Sequence, residues 1–230
     1  MARVTLGSFT GFLVACFDAY QSMFYSFLSV YVLGYLIDIV IDGAKKYQPV
    51  WWAFIYTSYV LAHTWGGRAY WVILKVLSIG SLLLLVIYIL GCIEFANFDK
   101  HAPYPSTSNA VDQVWFVGGA RLFFQALPIP CFFFVGTESL NLAAHDTANP
   151  KKDIPWGYFT AFTTISVLTF ATIFVASSVT PGTVGLPYYI LSPLTPGYQL
   201  MFNIKIEHAV ALSIPPIYTS GFGFTYYYAN

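Results

Sequence analysis

Long apolar stretches alternate with short polar clusters along this chain of 230 residues. A helix needs roughly 20 residues to cross the hydrocarbon core of a bilayer, with about 17 to 25 as the usual range. Measured against that length, the pattern predicts six membrane-spanning segments. They are residues 11–37, 50–65, 69–93, 115–144, 158–178 and 208–228. The second is short, and the third contains four consecutive leucines, Leu82 to Leu85.

The fourth segment is too long for one straight crossing. It contains Pro128, Pro130 and Gly136, which interrupt a helix, and the charged residue Glu138. The sequence therefore predicts a broken helix here. Asp153 and Pro155 are expected to begin the next helix, since Asp caps helix amino termini and Pro is tolerated in the first turn.

The polar connections show less regular patterns. Residues 38–49 and 97–113 read as loops, and the stretch 181–197, rich in Pro and Gly, is expected to be an irregular loop. Basic residues fall on both sides of the predicted spans, so the positive-inside rule does not decide the orientation.

Composition supports the membrane assignment. Hydrophobic residues make up 57% of the chain and charged residues 9%, whereas soluble domains carry roughly 25% charged residues. Ten basic and ten acidic residues give no net charge, which argues against nucleic acid as a partner. The partner that composition implies is the lipid bilayer. Three cysteines in apolar segments favour neither a disulfide framework nor a metal site.

One segment carries a specific motif. Residues 132–139 read Phe-Phe-Phe-Val-Gly-Thr-Glu-Ser, and residues 144–155 read Ala-His-Asp-Thr-Ala-Asn-Pro-Lys-Lys-Asp-Ile-Pro. This segment resembles the sixth span of the amino acid-polyamine-organocation (APC) superfamily of permeases, at spacings reproduced without a gap. The other predicted spans are similar, more loosely, to spans three to five, seven and eight of that family. The resemblance implies that residues 1–230 are a single transmembrane domain, incomplete at both ends.

The resemblance implies an all-α, polytopic transmembrane helix bundle that is part of an inverted-repeat (LeuT-type) transporter fold with one broken helix. It also assigns roles to residues. The substrate-binding positions that it implies are Phe132, Phe134, Val135, Gly136, Thr137 and Glu138. Glu138 is the candidate for proton coupling. The matching cytoplasmic motif consists of Asp146, Asn149, Pro150, Lys151, Lys152 and Pro155.

Physical arguments support a site at this break and leave alternatives open. Unpaired backbone within a membrane is tolerated where it lines a protein-buried or water-filled cavity. The dipole ends of a broken helix suit the carboxylate and the ammonium of an amino acid or amine. Gly136 could instead serve close helix packing, and Phe132 could be a gate or a simple core contact. Glu138 could carry a proton, order the backbone or bond a neighbouring helix.

Hydroxyl groups in the last span offer a weaker indication. Thr219 and Ser220 could bind a cation, but Ser and Thr are also common helix-packing residues in membranes.

The resulting hypothesis is secondary active transport of amino acids or related amines by alternating access, in a multi-pass protein of the plasma membrane. A proton or sodium ion would be the coupling partner; no cofactor, metal or enzymatic activity is expected. One rival is a truncated or degenerate permease fragment that acts as a non-transporting membrane subunit, because the first span that completes the family's substrate site would be missing. A channel or a membrane enzyme is a second rival. It is disfavoured because the sequence shows neither a selectivity-filter repeat nor a catalytic cluster.

Overall fold

The computed structural model describes residues 7–41, 43–65, 67–97, 119–126, 147–182, 186–189 and 191–226, together with residues 5, 136, 140 and 144. Within these residues the structure contains helices, turns and irregular segments, and no β-strand. The all-α prediction is therefore confirmed.

Eight α-helices are described. They are α1 (Ser8–Val40), α2 (Gln48–Thr64), α3 (Gly67–Cys92), α4 (Gly119–Ala126), α5 (Pro150–Ser178), α6 (Thr195–Phe202), α7 (Ile206–Ala211) and α8 (Ile214–Phe224). Short 3₁₀ turns lie at Ala44–Tyr47, Ile93–Phe95 and Leu186–Tyr189. Gly43, in the left-handed region at φ 82°, allows the chain to turn between α1 and α2.

Three described helices are long and apolar enough to cross a bilayer: Ser8–Val40, Gly67–Phe95 and Pro150–Ser178. At about 1.5 Å per residue, the 33 residues of α1 span roughly 50 Å, more than the hydrocarbon core of about 30 Å. In the most apolar windows of the other two, only 11% of residues are buried within the chain. Most of their apolar surface is therefore left to face lipid or other helices.

Helix α2 agrees with the prediction of a short span. Its 17 residues lie at the lower limit of about 17 that a crossing needs. Pro49 occupies its first turn, where the missing N–H costs no helical hydrogen bond.

The chain divides into two compact units, and each is described separately. The first comprises Met1–Leu84 and Phe202–Asn230, and the second Leu85–Met201. In the first unit α1 packs against α2, α7 and α8. Its core combines aliphatic side chains with buried aromatic rings: Val30, Leu33, Ile55, Tyr59, Ala62, Tyr70, Phe222 and Tyr226.

In the second unit, the end of α3 and the end of α5 are joined by a backbone hydrogen bond. The amide of Asn97 donates to the carbonyl of Ser178 at 2.8 Å. Helix α6 lies close to the end of α3, because a Cβ on Gly197 would come within 2.4 Å of the Tyr88 ring. A glycine is required there for the two helices to approach this closely.

The predicted loop at 181–197 was partly wrong. It contains the 3₁₀ turn Leu186–Tyr189 and the start of α6 at Thr195. Pro196 falls in the first turn of α6, where proline is tolerated, so the residue that suggested a loop instead begins a helix.

The predicted last span, 208–228, was wrong in its continuity. Two short helices, α7 and α8, are separated by a turn at Leu212 and Ser213. Pro215 and Pro216 have no N–H to donate to the carbonyls of Ala211 and Leu212, which ends the first helix.

The start of α5 also differs from the prediction. The helix begins at Pro150, with Asn149 in the N-cap position, and Asp153 lies inside its first turn. The amides of Lys152 and Asp153 donate to the carbonyl of Asn149 at 3.0 and 2.9 Å. Pro155 lies within the helix rather than at its start. A proline at the first helical position, Pro150, explains the earlier start.

Candidate functional site

Of residues 132–139, where the sequence predicts the break, the structure describes Gly136. Its φ of +94° lies in the region that L-residues with a side chain rarely adopt, and the residue forms a half-buried turn. An α-helix cannot continue through such a backbone conformation. The other predicted substrate-binding residues, Phe132, Phe134, Val135, Thr137 and Glu138, lie outside the described residues.

Beyond Gly136 the chain approaches the first turns of α5. Leu140 lies in a 3₁₀ conformation, and a Cβ on Gly157 would lie 2.9 Å from its Cδ2. Gly157 therefore leaves room for the Leu140 side chain against α5. This contact places Leu140, four residues after Gly136, against α5.

The predicted cytoplasmic motif occupies the amino terminus of α5. Asn149, Pro150, Lys151 and Lys152 are all exposed, as is Pro155 further along the helix. Asp146 lies outside the described residues. Exposed lysines beside the start of a span are expected to lie at a membrane surface, where their charges remain hydrated.

Thr219, one of the two residues predicted as cation ligands in the last span, bonds to protein groups through its hydroxyl. Thr219 donates through Oγ1 to the carbonyl of Pro215 at 2.8 Å. The same oxygen lies 2.9 Å from Oγ of Ser81 on α3. Because the Thr219 proton is already used, Ser81 donates in this pair. The pair therefore joins α8 to α3, which is the packing role rather than evidence of an ion site.

A second set of hydrogen bonds joins α2 to α8. Ser58 Oγ lies 2.8 Å from the hydroxyl of Tyr218, and the hydroxyl of Tyr59 donates to the carbonyl of Tyr218 at 3.3 Å. Tyr218, Phe222 and Thr225 are four and three residues apart, so they lie on one face of the helical segment that contains α8. Sequence analysis missed these bonds, although that spacing is visible in the sequence.

His63 lies at the end of α2 and bonds the residue that follows α8. Its Nε2 lies 2.7 Å from Oγ1 of Thr225. Because Thr225 donates its proton to the carbonyl of Phe222 at 2.6 Å, His63 is the donor, which assigns the proton to Nε2. The imidazole also stacks on Tyr70, with ring centroids 4.5 Å apart. His63 therefore links the end of α2 with the end of α8 and with the start of α3.

The second unit contains a compact aromatic and thiol cluster. Tyr88, Cys92 and Tyr198 are each at most 1% exposed, and the two tyrosine rings meet edge to face at 5.2 Å. Burial raises the pKa of the Tyr198 phenol to about 12, with a smaller contribution from Cys92. The phenol is therefore neutral, as a packed side chain requires.

Within the part of the chain that the structure describes, no three or more His, Cys, Asp or Glu side chains lie close enough together to hold a metal ion.

A family model described as amino acid permease matches residues 1–217. No curated protein and no solved structure gives a significant match. The family-model match covers most of the chain and includes the segment with the left-handed Gly136.

Proposed function

This chain belongs to the amino acid permease family, and on that premise we propose that it serves secondary active transport of amino acids or related amines across a membrane by alternating access. The family is a family of transporters, and the described structure is an all-α membrane protein with three apolar helices long enough to span a bilayer.

The observation that carries the proposal is the backbone at Gly136. The residue adopts φ +94° within a segment whose sequence is long and apolar enough for a span. A helix interrupted inside a membrane exposes amides on one side and carbonyls on the other. Such a pair of half-helix ends suits the opposite charges of an amino acid.

In the proposed mechanism, the residues around Gly136 bind the substrate. Backbone amides would meet the carboxylate and backbone carbonyls the ammonium, while Phe132 would close over the bound molecule. Glu138 would carry the coupling proton or order the interrupted backbone, because an intramembrane carboxylate is costly unless it has such a role. Sodium is the alternative coupling ion. The plasma membrane is the proposed location, and residues 1–230 are proposed to act within one transmembrane domain.

The test is uptake of radiolabelled amino acids, polyamines and ethanolamine by cells that express the full-length gene. We expect one of these classes to accumulate, and Gly136→Ala to reduce its uptake at least tenfold at matched surface expression. Alanine at φ +94° costs about 1–2 kcal/mol of backbone strain. That strain would move the backbone groups that bind the substrate.

Gly43→Ala is the matched control. Gly43 also has a positive φ, +82°, and a Cβ added there meets no atom within 4 Å. It therefore carries a similar backbone penalty outside the proposed site, and uptake should remain near the unmodified level. Equal losses in both variants would mean that strain alone, rather than the site, explains the effect. Absence of uptake for every compound would favour the non-transporting subunit.

A further inference from the structure

The chain that precedes α5 returns alongside that helix, and one contact shows where. Leu140 lies ten residues before the start of α5 at Pro150, yet a Cβ on Gly157 would lie 2.9 Å from its Cδ2. Gly157 is the eighth residue of α5, about 10 Å along the axis from Pro150. Leu140 therefore packs beside the second turn of the helix rather than beyond its end.

The contact lies on the apolar side of the exposed lysines. Gly157 follows Lys152 by five residues, about 7.5 Å further along α5. Lys151 and Lys152 are exposed, whereas Gly157 and Leu140 are half-buried. With the lysine charges at the membrane surface, the contact lies towards the membrane interior. Gly136 precedes Leu140 by four residues and is therefore within about 14 Å of it.

The backbone of α5 beside Leu140 is held by its own hydrogen bonds. The hydroxyl of Thr160 donates to the carbonyls of Trp156 and Gly157, at 2.9 and 3.0 Å, in addition to the helical bonds. Leu140 belongs instead to a segment that leaves the helical conformation at Gly136. Crowding at the contact is therefore expected to displace Leu140 and the residues joined to it, rather than α5.

The contact leaves little room for a side chain at position 157. Carbon atoms in ordinary contact are about 3.5–4.0 Å apart, so a Cβ at 2.9 Å requires Cδ2 of Leu140 to retreat by roughly 0.6–1.1 Å. The end of a leucine side chain can rotate by that amount, so alanine is tolerated at this position. Valine adds two further carbons that need the space of Leu140, and the Leu140 backbone then has to move.

We propose that Gly157 is a positioning residue for the substrate site proposed around Gly136. By admitting the Leu140 side chain against α5, Gly157 fixes the segment that follows the left-handed glycine, and with it the backbone groups that meet the substrate. This inference rests on the proposed function. In enzymes, a misplacement of about 1 Å caused by a distant substitution can cost about 100-fold in rate. A shift of that size at a binding site is expected to weaken binding.

The experiment exchanges volume across the contact. Gly157→Val and Leu140→Ala are made singly and together in the full-length gene, and radiolabelled uptake is measured over a range of substrate concentrations at matched surface expression. Leucine with glycine carries as many side-chain carbons as alanine with valine, so the double variant conserves volume. Ala161→Val is the matched control, because Ala161 lies one turn further along α5 and is exposed.

We expect Gly157→Val to raise the KM for uptake about tenfold and to change the maximal rate much less, because the binding groups move while the fold persists. Leu140→Ala should also raise KM, since the cavity loosens the same segment. The double variant should return KM to within about twofold of the unmodified protein. Gly157→Ala and Ala161→Val should leave KM nearly unchanged.

Each opposite result would overturn the proposal. An unchanged KM in Gly157→Val, with only expression or maximal rate reduced, would make the contact purely structural. An equal rise in Ala161→Val would reduce the effect to valine in α5, and a double variant without recovery would show that the two residues do not act through each other. Should Gly157→Val fail to reach the surface, Leu140→Phe crowds the same contact from the other side and should raise KM likewise. Absence of uptake by the unmodified protein would instead overturn the proposed function, and this inference with it.

Discussion

Gly221 of α8 offers a sharp test of the helix packing in the first unit. A Cβ at this position would lie 2.6 Å from the hydroxyl of Tyr59 and 2.7 Å from Cβ of Ser29. The Tyr59 side chain is fully buried, and the Cβ of Ser29 is fixed to the backbone of α1. Neither atom can move aside cheaply, so Gly221→Ala must push α8 away from α1 or α2.

The size of the effect follows from two opposed terms. Overpacking of a well-packed core costs typically about 1–3 kcal/mol, whereas Gly→Ala within a helix gains up to about 1 kcal/mol from propensity. We expect a net loss of up to about 2 kcal/mol in the free energy of unfolding. For a chain of this size, each kcal/mol corresponds to roughly 2–4 °C in the midpoint of thermal unfolding, which is measurable in detergent micelles by circular dichroism.

Gly223→Ala, on the same helix, is the matched control. The nearest atom to a Cβ there is Cδ1 of Leu74 at 3.9 Å, an ordinary contact. This variant gains the same helix propensity without a clash, so its midpoint should stay unchanged or rise slightly. If both variants shifted by the same amount in the same direction, the close approach of α8 to Tyr59 and Ser29 would be wrong.

Two further predictions concern the proposed transporter. Lys152→Cys, in a background without the native cysteines, should react with a membrane-impermeant thiol reagent only after permeabilisation, because the motif match places this exposed residue in the cytoplasm; rapid labelling of intact cells would reverse the topology. In the full-length protein, Glu138→Gln should preserve folding and alter the pH dependence of transport, because the amide keeps the shape and loses titration; an unchanged pH profile would exclude the proton role and leave a structural one.

Length and hydropathy were sufficient for the three longest helices. The predicted spans at 11–37, 69–93 and 158–178 correspond to α1, α3 and α5. Lipid-facing positions need only be apolar, so a continuous apolar run is a direct signal of a helix. Helix ends were less predictable: α5 begins at Pro150, because Pro150 in the first helical position was a better start than Asp153.

Short helices were missed because their causes are tertiary. Helix α6 has only eight residues and begins with Thr195 and Pro196, which resemble a loop when read in sequence. It is held by Gly197 against Tyr88, a contact between residues far apart in the chain. A local pattern carries no information about such a contact, since isolated helices of this length are unstable in water and depend on packing.

Intramembrane polarity alone does not distinguish a functional site from helix packing in this chain. Thr219 was a candidate cation ligand from its residue type and position, yet its hydroxyl bonds Ser81 and the carbonyl of Pro215. His63, a titratable residue near a helix end, likewise bonds Thr225. Gly136 differs because its evidence is backbone conformation, and a left-handed residue ends a helix whatever its neighbours are. The strongest support for the proposed substrate site is therefore the conjunction of that conformation with the family motif, rather than any single polar side chain.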